Sequence, residues 1–334
     1  MNTYRHDDKE AVGNLSANPG SRWYRPGINV RDAKGEFAVQ RLNRRLFTPT
    51  LPEAGFRVDR EDAMFAMGSC FARGIENAML GKRFQVLSAA TEFDHFELAV
   101  KGVTGRGFMN KYSTHAMRHE FEWALDPAKS FPEASLVEGE DGNWIDPSTN
   151  PTLKWVDRAG TLARRATISD VVRRVRGCRL VVLTLGLVEL WYDRETEVFL
   201  NMAPSPPMQR MFPGRYEFRV TDFRENRENM EVIGELLRSS AEGDLQIVVT
   251  TSPVPLNATF TDRDVVVANT YSKSVLRAVA EDFAAAHDHV HYFPSYEIVM
   301  HSDRKAAWAD DGRHVEPEVV HHIMGLFQAH YVKS

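Results

Sequence analysis

Four short apolar runs constrain this chain more than any other feature: Ala63-Met64-Phe65-Ala66-Met67, Leu180-Val181-Val182-Leu183-Thr184-Leu185, Leu245-Gln246-Ile247-Val248-Val249-Thr250, and Val290 to Phe293. Each is too short for a globular helix and shows no strict polar alternation, so each reads as a strand buried on both faces. Between them the apolar period lengthens. Met230, Ile233, Leu236 and Leu237 recur at helical spacing, as do Val275, Leu276, Val279 and Phe283, and residues 168–176 read as a helix entering the second run. Pro317 marks the start of a terminal helix whose inner face is Val319, Val320, Ile323, Met324 and Phe327. Strand and helix alternating with few hairpin signals predict the α/β class: a three-layer, doubly wound parallel sheet of flavodoxin-like type, in a single domain.

The length, 334 residues with 43% hydrophobic side chains, suits one such domain with a sizeable core, expected over residues 58–334. Ahead of it, residues 1–57 read as a polar segment to about Gly20, followed by an arm in which aromatics return among prolines and arginines. Residues 126–160, with their prolines, Asp141-Gly142-Asn143 and scattered tryptophans, predict an irregular insertion. Cys70 and Cys178 form no disulfide framework and no metal-ligand spacing, so no metal is expected and a reducing compartment is. No apolar stretch spans a membrane and the N-terminus lacks a signal-peptide core, which together predict a cytoplasmic protein.

A net charge of -5 argues against a nucleic-acid partner, yet the charge is uneven. Arg22, Arg25, Arg31, Arg41, Arg44, Arg45, Arg57 and Arg60 crowd the N-terminal part, and Arg164, Arg165, Arg173, Arg174 and Arg176 form a second cluster. Such blocks either attract an anionic polymer or a phosphate-bearing acyl donor, or are a solvated helix face and an arm over acidic surface; blocks of charge are generally surface.

The first strand runs into Gly68-Ser69-Cys70-Phe71-Ala72, and residues 72–80 read as a helix. A hydroxyl and a thiol thus sit where a strand ends and a helix begins, with helix N–H groups favouring a thiolate or a developing oxyanion. Either Ser69 or Cys70 is the nucleophile on this reading; alternatively Ser69 is an N-cap and Cys70 a small packed side chain. Ser69, Glu189, Ser252 and the residues after Phe293 all fall at expected carboxyl ends of strands, where ligands of such sheets bind.

The pentapeptide resembles the signature of the GSCFA family, which looks like a branch of the SGNH (GDSL-type) hydrolases. Residues 183–191, 251–256, 270–274 and 292–298 follow in the order that family shows. Laid on the Gly-Asp-Ser-Leu turn of SGNH enzymes, Gly68 matches glycine and Cys70 takes the place of the catalytic serine. Asp311-Gly312-Arg313-His314 resembles their Asp-x-x-His block and implies His314 as base, oriented by Asp311. Their oxyanion block carries an asparagine where this chain has Val188, so the resemblance leaves the backbone N–H groups of Cys70 and Gly186 as donors, with Asn110 in the Asn110-Lys111-Tyr112 run able to restore a side-chain donor. Glu189 reads as a second acid or an arginine's partner, and Trp191 and Tyr192 as a stacking surface for a sugar or as packing. Asn269, Ser272 and Lys273 match the family pattern, with Lys273 expected as a substrate or structural contact.

The function implied is an SGNH-like esterase acting through a covalent acyl-enzyme on acyl esters of a hydroxyl-bearing substrate, most plausibly a carbohydrate. The alternatives are an O-acyltransferase of polysaccharide modification and a degraded module that binds glycan or acyl groups. No cofactor is expected, apart from an acyl thioester donor for a transferase.

Overall fold

The computed structural model of the protein describes residues 6–24, 26–27, 37–99, 106–149 and 152–333. Arg25 and Arg31 of the basic arm and Gly105 of the glycine-rich run lie outside the described residues. The chain divides into two compact units. One holds residues 59–292, and the other joins the arm, up to Val58, to everything from Phe293 onward.

Ten strands are formed among the described residues: β1 (Ala63–Gly68), β2 (Gln85–Val86), β3 (Val137–Glu138), β4 (Trp144–Ile145), β5 (Leu180–Leu185), β6 (Glu189–Asp193), β7 (Val198–Leu200), β8 (Tyr216–Val220), β9 (Gln246–Thr251) and β10 (Val290–Tyr292). The four apolar runs of the sequence become β1, β5, β9 and β10. With the two-residue β2 they make one parallel sheet in the order β10-β9-β5-β1-β2. β5 is central and all six of its residues are buried, as a strand covered on both faces requires.

Helices pack on this sheet and join its strands. The Cys70–Leu80 helix follows β1, Arg158–Arg173 precedes β5, Phe223–Ser240 precedes β9, and Val265–Ala286 precedes β10. Met230, Ile233 and Leu237 of the third, and Leu276, Val279 and Phe283 of the fourth, enter one core with Val181, Leu183, Ile247 and Val249. Each such aliphatic side chain stabilises the fold by about 1.5–3 kcal/mol over exposure. Because β2 lies outside β1 while every later strand is added on the other side, the order of winding reverses between β1 and β5. At such a reversal the loops after adjacent strands diverge and leave a crevice at the carboxyl ends.

Sequence reading missed the antiparallel sheet β7-β6-β8. Its tight turn is Asp193-Arg194-Glu195-Thr196, where the Asp193 carboxylate accepts from Glu195 N–H and Thr196 Oγ1 and Glu197 adopts φ 59°. No Asn-Gly or Asp-Gly pair marks that turn, so the usual hairpin signal is absent. The second arginine cluster is largely neutralised: Arg165 pairs with Glu120, Arg173 with Asp170, Arg174 with Glu92, and Arg164 donates to Lys154 O.

In the other unit the arm is tied to the terminal helix, Pro317–Tyr331. Val58 bridges Val332, Arg57 Nη1 donates to the carbonyls of Ala329 and Val332 at 3.1 Å each, and Phe56 stacks on Tyr331 at 5.0 Å.

Candidate active site

The turn after β1 is imposed by its neighbour β5. Gly68 pairs with Thr184 and has φ 144°; a Cβ there would lie 2.3 Å from the Thr184 carbonyl oxygen, so only glycine fits. Ser69 follows with its N–H donating to Thr184 Oγ1 at 2.9 Å and to Thr184 O at 3.2 Å. The Ser69 hydroxyl is 3% exposed, accepts from the Phe71 N–H at 3.2 Å and lies 3.2 Å from Thr184 Oγ1. Ser69 is therefore the N-cap of the Cys70–Leu80 helix. Cys70 is the first helical residue and half-buried, and neither cysteine is in a disulfide. Cys178 is sealed in the core, where burial pushes its thiol up to about 12.

The crevice between β1 and β5 holds the segment Asn110-Lys111-Tyr112. Lys111 N–H donates to Gly68 O at 2.7 Å, and Leu187 N–H to Tyr112 O at 2.8 Å. Gly186, directly after β5, lies so close that a Cβ would be 2.5 Å from Tyr112 O. The Lys111 side chain points into the protein, where Nζ donates to Glu120 at 2.5 Å and Ser148 O at 2.6 Å; Arg165 adds a second cation on Glu120 and reaches Asp146 at 3.3 Å. Burial pushes the Lys111 ammonium down and the neighbouring Glu120 carboxylate opposes it. Burial pushes Glu120 up, but Arg165 and Lys111 outweigh it and hold the carboxyl below its usual range.

Asn110 is 5% exposed. Its amide meets the Tyr112 hydroxyl at 3.2 Å, and the other end of the amide is buried without a partner among the described residues. One residue that sequence reading missed holds this segment. Asn201, just beyond β7, donates from Nδ2 to Asn110 O at 2.6 Å and accepts from Tyr112 N–H at 3.0 Å. An isolated asparagine about ninety positions away offers no signal in the sequence. Thr184, the one polar side chain in the β5 run, did offer one.

The remaining candidates fasten loops. Lys273 Nζ donates to Gly186 O at 2.6 Å and Val254 O at 2.8 Å, linking the loops after β5 and β9. Ser272 Oγ accepts from Val188 N–H at 3.0 Å, and Asn269 Oδ1 from Leu256 N–H at 3.1 Å. Glu189 engages no arginine among the described residues; its carboxylate accepts from Thr259 Oγ1 at 2.7 Å and Phe260 N–H at 3.2 Å. Ser252 N–H donates to Leu185 O at 2.8 Å, while its fully buried hydroxyl has no partner among the described residues. Trp191 packs with Phe218 and Phe260, and Tyr192 lies under the Arg219 guanidinium at 3.7 Å.

Asp311 and His314 belong to the other unit. They form a closed turn in which Trp308 bridges Val315 and Gly312 adopts φ 64°. Asp311 Oδ1 accepts from the N–H groups of Arg313 and His314 at 2.9 Å each, and Oδ2 meets His314 Nδ1 at 2.5 Å. These contacts, the His314 backbone N–H first, hold the carboxyl well below the usual carboxylate range. His314 Nε2 faces only Arg313 Nη1, at 3.4 Å, and the imidazole is 59% exposed. Among the described residues no three His, Cys, Asp or Glu side chains gather as a metal site, and no helix is long and apolar enough to cross a membrane.

A parallel sheet flanked by helices, with a small-residue strand-turn-helix at its winding reversal, defines an α/β protein. The GSCFA family pattern matches residues 63–327, and the chain belongs to the GSCFA family. That membership is consistent with an enzyme of carbohydrate or lipid modification in general. No curated protein matches the chain.

Proposed function

We propose that the protein is an acyltransferase of SGNH-like, three-layer architecture, in which Cys70 takes an acyl group from an activated donor and passes it to a carbohydrate hydroxyl. The observation that carries this reading is the division of labour in the turn: the Ser69 hydroxyl is committed as a cap, whereas Cys70 begins the helix and is half-buried. In the first step the Cys70 thiol gives its proton to a general base and the thiolate attacks the donor carbonyl; a new C–S bond forms, the donor's C–S bond breaks, and the departing thiolate takes that proton from the base. In the second, the acceptor hydroxyl attacks the thioester and gives its proton to the general base, the role that the resemblance implies for His314, and the Cys70 thiolate is released. Asp311 fixes the His314 tautomer by taking Nδ1–H. Asn110 deepens the oxyanion site left short by Val188, because turning its amide by 180° puts an N–H2 at the unpartnered end.

A thiol nucleophile favours transfer over the esterase expected from the resemblance, since the enzyme-bound acyl group stays as activated as a thioester donor. The assignment of a cytoplasmic location goes with this proposal, because acyl thioesters are the activated donors of that compartment. Intact-mass measurement after incubation with an acyl thioester panel tests it. One acyl addition is expected on the native chain and on Ser69→Ala, none on Cys70→Ala, and a sugar acceptor should discharge the adduct. His314→Ala should slow that discharge by about a hundredfold to ten-thousandfold. An adduct that survives Cys70→Ala makes the thiol assignment wrong. Discharge to water alone would restore the esterase reading, and saturable glycan binding with no adduct would leave a binding module.

A further inference from the structure

Within the unit that joins the arm to the C-terminal segment, residues 42–45, 301–303 and 305–306 line a cleft of about 560 Å³. Its floor is fixed by backbone bonds: Asp303 N–H donates to Arg45 O, and Phe47 N–H to Ser302 Oγ, both at 2.9 Å, while the His301 ring meets Phe47 edge-on at 5.6 Å. Four charged side chains of permanent sign line the cleft, namely Arg44, Arg45, Lys305 and Asp303. Asp303 is occupied as a cap, accepting from the N–H groups of Lys305 and Ala306 at 3.0 and 3.1 Å. Arg45 is half-compensated by Glu318 at 2.6 Å. Arg44 and Lys305, one from each of the two segments that line the cleft, have no side-chain partner among the described residues. This differs from Arg165, Arg173 and Arg174 of the second cluster, which are paired with acids, and from Arg164, which donates to a carbonyl.

We infer that this cleft binds a phosphate-bearing ligand of diphosphate type, held between Arg44 and Lys305 with Arg45 beside them. Two unneutralised cations facing a preformed polar cleft would each donate charge-assisted hydrogen bonds to phosphate oxygens. A size within the usual range for small-ligand sites admits a diphosphate with an organic substituent. The inference is independent of acyl transfer at Cys70, and binding measurements separate the two.

Titration of the full chain with pyrophosphate, followed by calorimetry, is the direct test. Saturable binding is expected, weakening as salt rises, with Arg44→Ala plus Lys305→Ala weakening it by about tenfold or more, equivalent to about 1.4 kcal/mol. Both side chains are exposed and unbonded, so the double variant should keep the native melting temperature, which scanning calorimetry verifies. Arg173→Ala plus Arg174→Ala serves as the control and should leave affinity unchanged. Coenzyme A as a second probe identifies the source: tighter binding than pyrophosphate assigns the phosphates to a thiol-type acyl carrier, and equal binding to a free diphosphate. No pyrophosphate binding, unchanged affinity in the double variant, or binding of a polyuronate in place of pyrophosphate would overturn the inference.

Discussion

The turn around Cys70 and the turn around His314 carry the proposed chemistry, and they are built on opposite principles. The first is shaped from outside. Thr184 receives the Ser69 N–H, Lys111 bonds the Gly68 carbonyl from more than forty residues away, and Asn201 holds the segment that carries Lys111. The second is self-contained: one carboxylate, Asp311, satisfies two backbone N–H groups and an imidazole within four residues. Long-range bonds hold a nucleophile within tight tolerances but make the turn dependent on the whole sheet. A locally closed turn survives with few neighbours and keeps its imidazole open to solvent.

The contrast breaks most visibly at the glycines. Gly68→Ala drives a Cβ into the Thr184 backbone at a positive φ and should destabilise the α/β unit by roughly 3–5 kcal/mol, read as a lowered urea midpoint. Gly312→Ala, which also sits at positive φ but meets nothing within 4 Å, should destabilise by only about 1 kcal/mol. Equal losses at the two positions would show that the Cys70 turn is no more constrained than the other.

The two histidines sharpen the comparison over pH. His115, in the helix that follows the Asn110 segment, is buried, its Nδ1 has no partner among the described residues, and burial pushes the imidazole down to about 3. The unfolded chain takes up that proton near pH 6.5, so between about 3 and 6.5 the unfolded state binds more protons. Stability therefore falls as pH drops through this window, by about 2 kcal/mol between pH 6.5 and 5. His115→Phe should flatten that acid limb in melting temperature against pH, and an unchanged limb would exclude His115 as its source.

The smallest effect is expected at the exposed pair. Asp311→Asn should leave the melting temperature nearly unchanged while altering the pH dependence of acyl discharge, because a surface ion pair adds little to stability but orients the imidazole. A large loss of melting temperature would mean that the His314 turn, too, is held from outside.

The apolar runs that became β1, β5, β9 and β10 were legible because a strand buried on both faces needs an unbroken apolar stretch. The glycine–serine–cysteine turn was legible because it abuts one of them. The Asp311–His314 contact was equally legible, being a matter of four-residue spacing. Sequence left Ser69 and Cys70 undecided: which of two adjacent side chains is consumed as a cap depends on Thr184, which register alone brings opposite Gly68. Lys273, read as a substrate or structural contact, bonds two loop carbonyls, and Glu189, read as a second acid or an arginine's partner, accepts from a hydroxyl and a backbone N–H.

Local periodicity and spacing thus determined the strands β1, β5, β9 and β10, the helices between them and the two turns, because those signals are written within a few residues. The tertiary structure alone decided the winding reversal between β1 and β5, the antiparallel β7-β6-β8 sheet and the clamp by Asn201. Apart from the local β6-β7 hairpin, each depends on groups tens of residues apart coming within hydrogen-bond distance, and that distance is set by the packing of the whole sheet rather than by the residues themselves.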